Sequence, residues 1–264
     1  MPKCSAHKQG QGVIDLTSET YRDLGPDEVK RIAMDDRDLM SIRADTDMTY
    51  DTRGRMLRTN EPDGRPTPRL FLGRTTAGHA VRFGSEVPDA LARRLGEIID
   101  RLPSPGDLRD PPAALAAVRQ ALTRHAPITA EGGGPAYRFP ASIVRPGEVI
   151  ELLVANRELV RDTYPWLYDE LAGWQPCFAV VRDGAAVAVC FSSRSGIEAA
   201  EAGVDTLLAF RGRGYAAAVT AAWGAAIRET GRIPLYSTAW ENLASQGVAQ
   251  RVGLIMFGAD ATWA

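Results

Sequence analysis

Apolar and polar positions follow a regular alternation from residue 136 onward. Short apolar runs bounded by turn residues are separated by longer segments whose apolar positions recur every three to four residues, the pattern of strands interspersed with helices. AYRFPAS (136–142) predicts a short strand. GEVIELLVANRELVRDTYPWLYDELAGW (147–174) predicts a helical region broken at Pro165. CFAVVRDGAAVAVCFS (177–192) is two apolar runs joined by Asp183-Gly184, a hairpin signal. EAAEAGVDTLLAF (198–210) predicts a further strand, and GYAAAVTAAWGAAIRETG (214–231) a helix closed by Gly231. IPLYSTAW (233–240), ENLASQGVAQRVG (241–253) and LIMFGA (254–259) predict a strand, a short helix and a last strand. This order predicts an α/β (α+β) fold, with a mixed central sheet carrying helices on both faces.

The first half is less regular. DLGPDEVKRIAM (23–34) predicts a short helix, MTYDTRGRMLRTN (48–60) a strand, and PRLFLGRTTAGHAVRFG (68–84) a hairpin turning near Ala77-Gly78. In PDALARRLGEIIDRL (88–102), Leu91, Leu95, Ile98 and Leu102 share one helical face; DPPAALAAVRQALTRH (110–125) predicts a second helix with proline near its start. Residues 1–135 hold 40 of the 64 charged residues and none of the five tryptophans. That shift, with the Gly132-Gly133-Gly134 triplet read as a linker, predicts two domains, a smaller α+β domain over 1–134 and a second over 135–264.

Composition adds mostly exclusions. The formal net charge of −2 gives no reason to expect nucleic acid or an anionic membrane as partner. No apolar run approaches the roughly 20 residues that span a bilayer, and the polar start MPKCSAHKQGQG lacks the apolar core of a secretory signal. A cytoplasmic location is the expectation. Cys4, Cys177 and Cys190 are odd in number, so no disulfide framework is expected. Cys177 and Cys190 sit in apolar runs and read as core. His7, His79 and His125 do not cluster, and no metal-ligand spacing is present.

The chemistry concentrates in LLAFRGRGYAAAVTAAW (207–223). Gly212 and Gly214 allow backbone angles closed to other residues and leave no side chain in the way. The helix that follows begins with unpartnered N–H groups at the positive end of its dipole, a ready anion site. Arg211 and Arg213 add charge suited to phosphate oxygens, and Ala216 and Ala217 keep the first turn slim. The bland alternative is an exposed Arg/Gly turn that merely caps a buried helix. A P-loop needs Lys-Ser or Lys-Thr after the last glycine, which is absent. GRGYAA fits the dinucleotide pattern G-x-G-x-x-G/A formally, but only 47 residues follow Ala217 and the next strand has no acidic residue at its end.

Arg211-Gly212-Arg213-Gly214-Tyr215-Ala216 resembles the R/Q-x-x-G-x-G/A signature of the GNAT N-acetyltransferase superfamily. The later Asn242, Ser245 and Gly253-Leu254 are similar to that family's following helix. The resemblance covers about residues 135–264 in element order. It implies acetyl-coenzyme A as acyl donor, no metal, and direct attack by an amine of a small-molecule or peptide acceptor. It implies that backbone groups of Val204, Asp205, Thr206 and Leu207 pair with the pantetheine arm, and that N–H groups from Gly212 to Ala216, Tyr215 included, hold the pyrophosphate. It places Asn242 and Ser245 near the thiol, although Asn242 also reads as a plain N-cap. The first half then shapes the acceptor site or is a degenerate copy of the same fold, and a homodimer is allowed.

Direct transfer needs a base for the ammonium proton and donors for the developing oxyanion. Glu198 and Glu201, at the start of the strand before the arginine–glycine turn, are the candidate bases, with a solvent-facing carboxylate as the alternative for Glu201. Asp205 is a third carboxylate in the same strand. Many members of the family carry a tyrosine four residues before the glycine–apolar pair as the acid; here that position is Ala249. Ser245, one turn earlier, can supply a hydroxyl, as can Tyr215 or Tyr236 from elsewhere. A thiol of pKa about 8.5 also leaves as thiolate without an acid. Tyr164, Trp166 and Tyr168 read as core or as lining of an acceptor pocket. The competing functions are a non-catalytic coenzyme A sensor or scaffold and an NAD(P)-dependent oxidoreductase.

Overall fold

The Asp183-Gly184 turn forms as its sequence dictates. Both residues take positive φ, 50° and 81°, which is the backbone a two-residue hairpin turn requires. It joins β7 (Cys177–Arg182) to β8 (Ala185–Ser195), neighbouring strands toward one edge of a large sheet. The computed structural model describes residues 34–264 apart from 62–63, 104–106, 110–112 and 114. Apart from Met34, the helix expected over 23–34 lies outside the described residues, as do Cys4 and His7.

The described elements run α1 (Asp36–Asp47), β1 (Met48–Tyr50), β2 (Met56–Thr59), β3 (Leu70–Thr75), β4 (Gly78–Phe83), α2 (Asp89–Ile99), α3 (Leu115–His125), β5 (Glu131–Arg138) and β6 (Val149–Leu152). Then come a 3₁₀ segment (Val154–Val160), α4 (Pro165–Glu170), a second 3₁₀ segment (Leu171–Trp174), β7, β8, β9 (Ala199–Thr206), α5 (Tyr215–Glu229), β10 (Ile233–Ser237), α6 (Leu243–Val252) and β11 (Ile255–Trp263). Nine strands form one open mixed sheet in the order β4-β3-β11-β5-β10-β9-β8-β7-β6, while β1 and β2 pair apart from it. Within the sheet β9 and β10 run parallel, and the other neighbours run antiparallel.

Helices cover both faces. On one, α5 and α6 pack Val219, Ala222, Trp223, Ile227 and Ala249 onto Ala188, Cys190, Ala200, Ala202 and Tyr236. On the same face α2 and α3 pack Leu95, Ile99, Val118 and Leu122 onto Leu70, Leu72 and Trp263. The alternate positions of the strands point the other way, as the two-residue strand period requires. There Leu167 of α4 packs against Cys177, Ala179 and Val189, and Met40 of α1 fills the space left by Gly73 and Gly258.

Three expectations are corrected. The glycine triplet is no linker but part of β5: Gly132–Gly134 pair with Thr262–Asp260 of β11, and the same strand pairs with β10 at residues 136–138. A Cβ on Gly134 would meet the Thr238 carbonyl oxygen at 1.8 Å, and one on Gly133 the Asp260 carbonyl oxygen at 2.4 Å. Glycine is there because neighbouring backbone leaves no room. The residue 134/135 division accordingly falls inside a strand, and strands from both halves share the sheet. The expected strand over 48–60 is a tight hairpin, β1 and β2, paired Met48↔Thr59 and Thr49↔Arg58. The helical region expected from 147 begins instead as edge strand β6, and Pro165 starts α4 rather than breaking it, since proline suits a first helical turn. Among the described residues no helix is long and apolar enough to cross a membrane.

Candidate active site

Strands β9 and β10 part company. Their ladder pairs Ile233↔Ala199, Pro234↔Ala200 and Leu235↔Glu201 and ends there. Beyond Glu201, β9 keeps β8 on one side, and β10 keeps β5 on the other. Leu207 N–H donates to Val187 at 3.0 Å. By the alternation of an antiparallel ladder, the peptide groups of Val204 therefore face away from β8, into the opening.

The opening is a cleft of about 570 Å³. It is lined by Val204, Asp205 and Thr206 of β9, by Arg211, Gly212, Gly214, Tyr215 and Ala216 of the turn into α5, and by Tyr236, Asn242, Ser245, Val248 and Arg251. Gly212 and Gly214 have φ of 77° and 87°, a region L side chains rarely enter. Gly214 is the N-cap of α5, and no side chain caps that helix. Its first-turn N–H groups stay available at the positive end of the dipole. A Cβ on Gly214 would lie 3.4 Å from Arg251 Nη1, so the bare glycine leaves a cradle between an arginine and the helix start. Those donors suit a phosphate.

The sequence candidates are placed differently. Arg211 lines the cleft, its Nε donating to the Thr206 carbonyl at 3.1 Å. Arg213 lies over the Phe210 ring and donates to the Ala209 carbonyl, outside the cleft lining. The Leu207 and Thr206 N–H groups are committed, the latter to the Asp205 carboxylate at 2.7 Å. Asn242 caps α6, its side-chain oxygen accepting from Ser245 N at 3.1 Å, while also lining the cleft. Tyr236 and Ser245 hydroxyls are 2.7 Å apart on the cleft wall. Ala249 is fully buried. Cys177 and Cys190 are buried thiols pushed far up by desolvation, to about 12 in Cys177, which suits core packing and not a nucleophile. Of the aromatics around Pro165, Tyr164 is buried with its hydroxyl on the Val187 carbonyl, while Trp166 packs edge-on against Trp174 and Phe191.

The two candidate bases are separated. Glu198 is exposed just before β9, away from the cleft lining. Glu201 sits at the apex of the β9–β10 gap, 2% exposed, with its side chain on the α1 face. Neither of its oxygens has a hydrogen-bond partner among the described residues. Burial pushes this carboxyl up to about 7; Arg43 opposes the rise and Asp47 adds to it. Arg43 and Asp47 of α1, Arg194 of β8 and Ser237 of β10 act on it, and Asp260 of β11 pairs with Arg43. None of these, nor Arg251, is in the sequence-derived set. For Arg251 a signal exists: Ala244, Val248 and Arg251 share a helical face. Nothing local marks the others, which come from distant parts of the chain.

Residues 176–258 match the family model described as GNAT acetyltransferase. No curated protein matches the chain. Among solved structures, a GNAT-family protein from Novosphingobium aromaticivorans DSM 12444 is 20% identical, with a TM-score of 0.42 over 52% of this chain and 65% of that one. An acetyltransferase from the GNAT family of Colwellia psychrerythraea is 15% identical, with a TM-score of 0.44 over 70% and 75%. A GCN5-related N-acetyltransferase-like protein from Streptococcus suis 89/1591 is 15% identical, with a TM-score of 0.42 over 75% and 85%. The chain thus spans less than two thirds of the first of these. The matched segment, residues 176–258, lies in the C-terminal half of the chain and is similar to a GNAT acetyltransferase domain.

Proposed function

We propose that the protein transfers an acetyl group from acetyl-coenzyme A to a primary amine. The observation that carries this reading is the cleft itself, an unpaired strand edge at one end and an uncapped glycine-turned helix start at the other; Glu201 lies buried where the two strands part, outside the cleft lining. The residues fit the group. The N–H groups of Gly212–Ala216, with Arg251, would hold the pyrophosphate, and the peptide groups of Val204 would pair with the pantetheine arm. When bound, acetyl-coenzyme A supplies the thioester whose acyl group is transferred.

The chain's own residues supply the rest. Glu201, poised near neutrality by burial, accepts the acceptor's proton at its carboxylate. The Tyr236–Ser245 hydroxyl pair holds a proton beside the thiol end of the cleft, in place of a side chain that Ala249 lacks. α1 lies over the face on which Glu201 points, so the first half of the chain shapes the acceptor side. The test is release of free thiol from acetyl-coenzyme A against a panel of primary amines, with Glu201→Gln in parallel. Acceptor-dependent release, lost in the variant, supports the reading. Binding of coenzyme A with no release for any amine would replace it with a sensor.

A further inference from the structure

Charged side chains and the Ser237 hydroxyl set the surroundings of Glu201. From α1 come Arg43 and Asp47, from β8 Arg194, from β11 Asp260; Glu61, after β2, pairs with Arg194, and Tyr236 of β10 lies behind. That is two guanidinium groups among four carboxylates. Arg43 is almost wholly buried, a costly place for a cation unless it is paired and hydrogen-bonded. It is both: its guanidinium donates to Asp260 at 3.1 Å and to Ser237 Oγ at 3.0 Å, and lies 3.3 Å from Asp47. The remaining Nε has no hydrogen-bond partner among the described residues and lies 3.9 Å from Glu201 Oε2.

We infer that Arg43 is the positioning residue of the transfer site: anchored by Asp47, Asp260 and Ser237, its guanidinium orients Glu201 at the apex of the β9–β10 gap and stabilises the ionised carboxylate. The inference rests on Glu201 being the proton acceptor. It makes α1, which lies far outside the matched segment 176–258, part of the working site. Desolvation drives Glu201 toward its protonated form, in which it cannot take a proton, and Asp47 pushes the same way. Arg43 is the cation in ion-pair contact that opposes both. An arginine that only fastened α1 to the sheet would cost stability on removal and leave the ionisation of Glu201 where it was.

The test is a carbon-13 NMR pH titration of the full-length protein with labelled glutamate, the Glu201 resonance identified by its absence in Glu201→Gln. In Arg43→Gln the Glu201 midpoint should rise by about one pH unit or more, and Arg43→Lys should bring it back toward wild type. If Arg43→Gln does not fold, the pair Arg43→Gln with Asp47→Asn, which also removes the carboxylate left unpaired, decides: its midpoint should lie above that of Asp47→Asn alone. Midpoints unmoved by these substitutions would overturn the assignment to Arg43 with the reading of Glu201 intact. Undiminished transfer by Glu201→Gln would refute that reading itself, whatever the titration gives.

Discussion

Glutamine at position 201 keeps the shape of a protonated carboxyl and removes its ionisation. Burial, with Asp47 assisting and Arg43 opposing, raises the Glu201 carboxyl from 4.5 to about 7. In the unfolded chain the same group ionises near its ordinary value, about 4.3. A carboxyl raised in the folded state stabilises the fold below its unfolded pKa, and that contribution is lost as pH climbs through the folded pKa. Each pKa unit is worth about 1.4 kcal/mol, so the wild type should lose about 3 kcal/mol relative to Glu201→Gln between about pH 4 and about pH 8. The assay is urea unfolding of both proteins at steps across that range, with the difference in unfolding free energy plotted against pH. The subtraction cancels titrations common to both. A difference curve flat across the range would show that Glu201 ionises in the fold as it does in water, and the apex would then hold no poised base.

Other substitutions probe the frame and the cleft. Gly134→Ala would place a Cβ at 1.8 Å from the Thr238 carbonyl oxygen; a cost of about 3 kcal/mol is expected from backbone displacement, read by urea melts, and an unchanged midpoint would disprove the crowding. Trp223→Phe opens space in the core and removes the 3.1 Å bond from the indole Nε1 to Ser192 Oγ; about 2–3 kcal/mol of stability should go. Tyr236→Phe removes the partner of Ser245, and turnover should fall about 10²-fold with coenzyme A affinity kept. Equal turnover would mean that the thiol leaves as thiolate unaided.

The strands, turns and helices of the second half were legible where one residue type had one reason to be present. Asp183-Gly184 could only turn, and the apolar run after Gly214 could only be a buried helix. The cleft was legible for the same reason: Val204–Ala216 is one continuous stretch of strand edge, turn and helix start, and Asn242 and Ser245 belong to one cap. Glycine has two reasons, free φ and absent bulk, and at Gly132–Gly134 the second reason, visible only once neighbouring strands are placed, decided the structure. Segment 147–152 carries apolar residues at helical spacing, and pairing with β7 turned it into a strand. α1 escaped detection because its buried side includes Arg43 and Asp47, charges that mask the apolar stripe by which a helix is recognised. Their role depends on contacts to Asp260 and Glu201, which no local pattern encodes.

The most direct measurement is calorimetric titration of coenzyme A into the wild type and into folded Gly214→Val. The wild type should bind saturably, and NAD(H) should give no heat. The valine would occupy the cradle beside Arg251 and strain a backbone held at φ 87°, so affinity should fall about tenfold or more. Equal affinity in the two proteins, or no binding by the wild type, would contradict the assignment of the cleft.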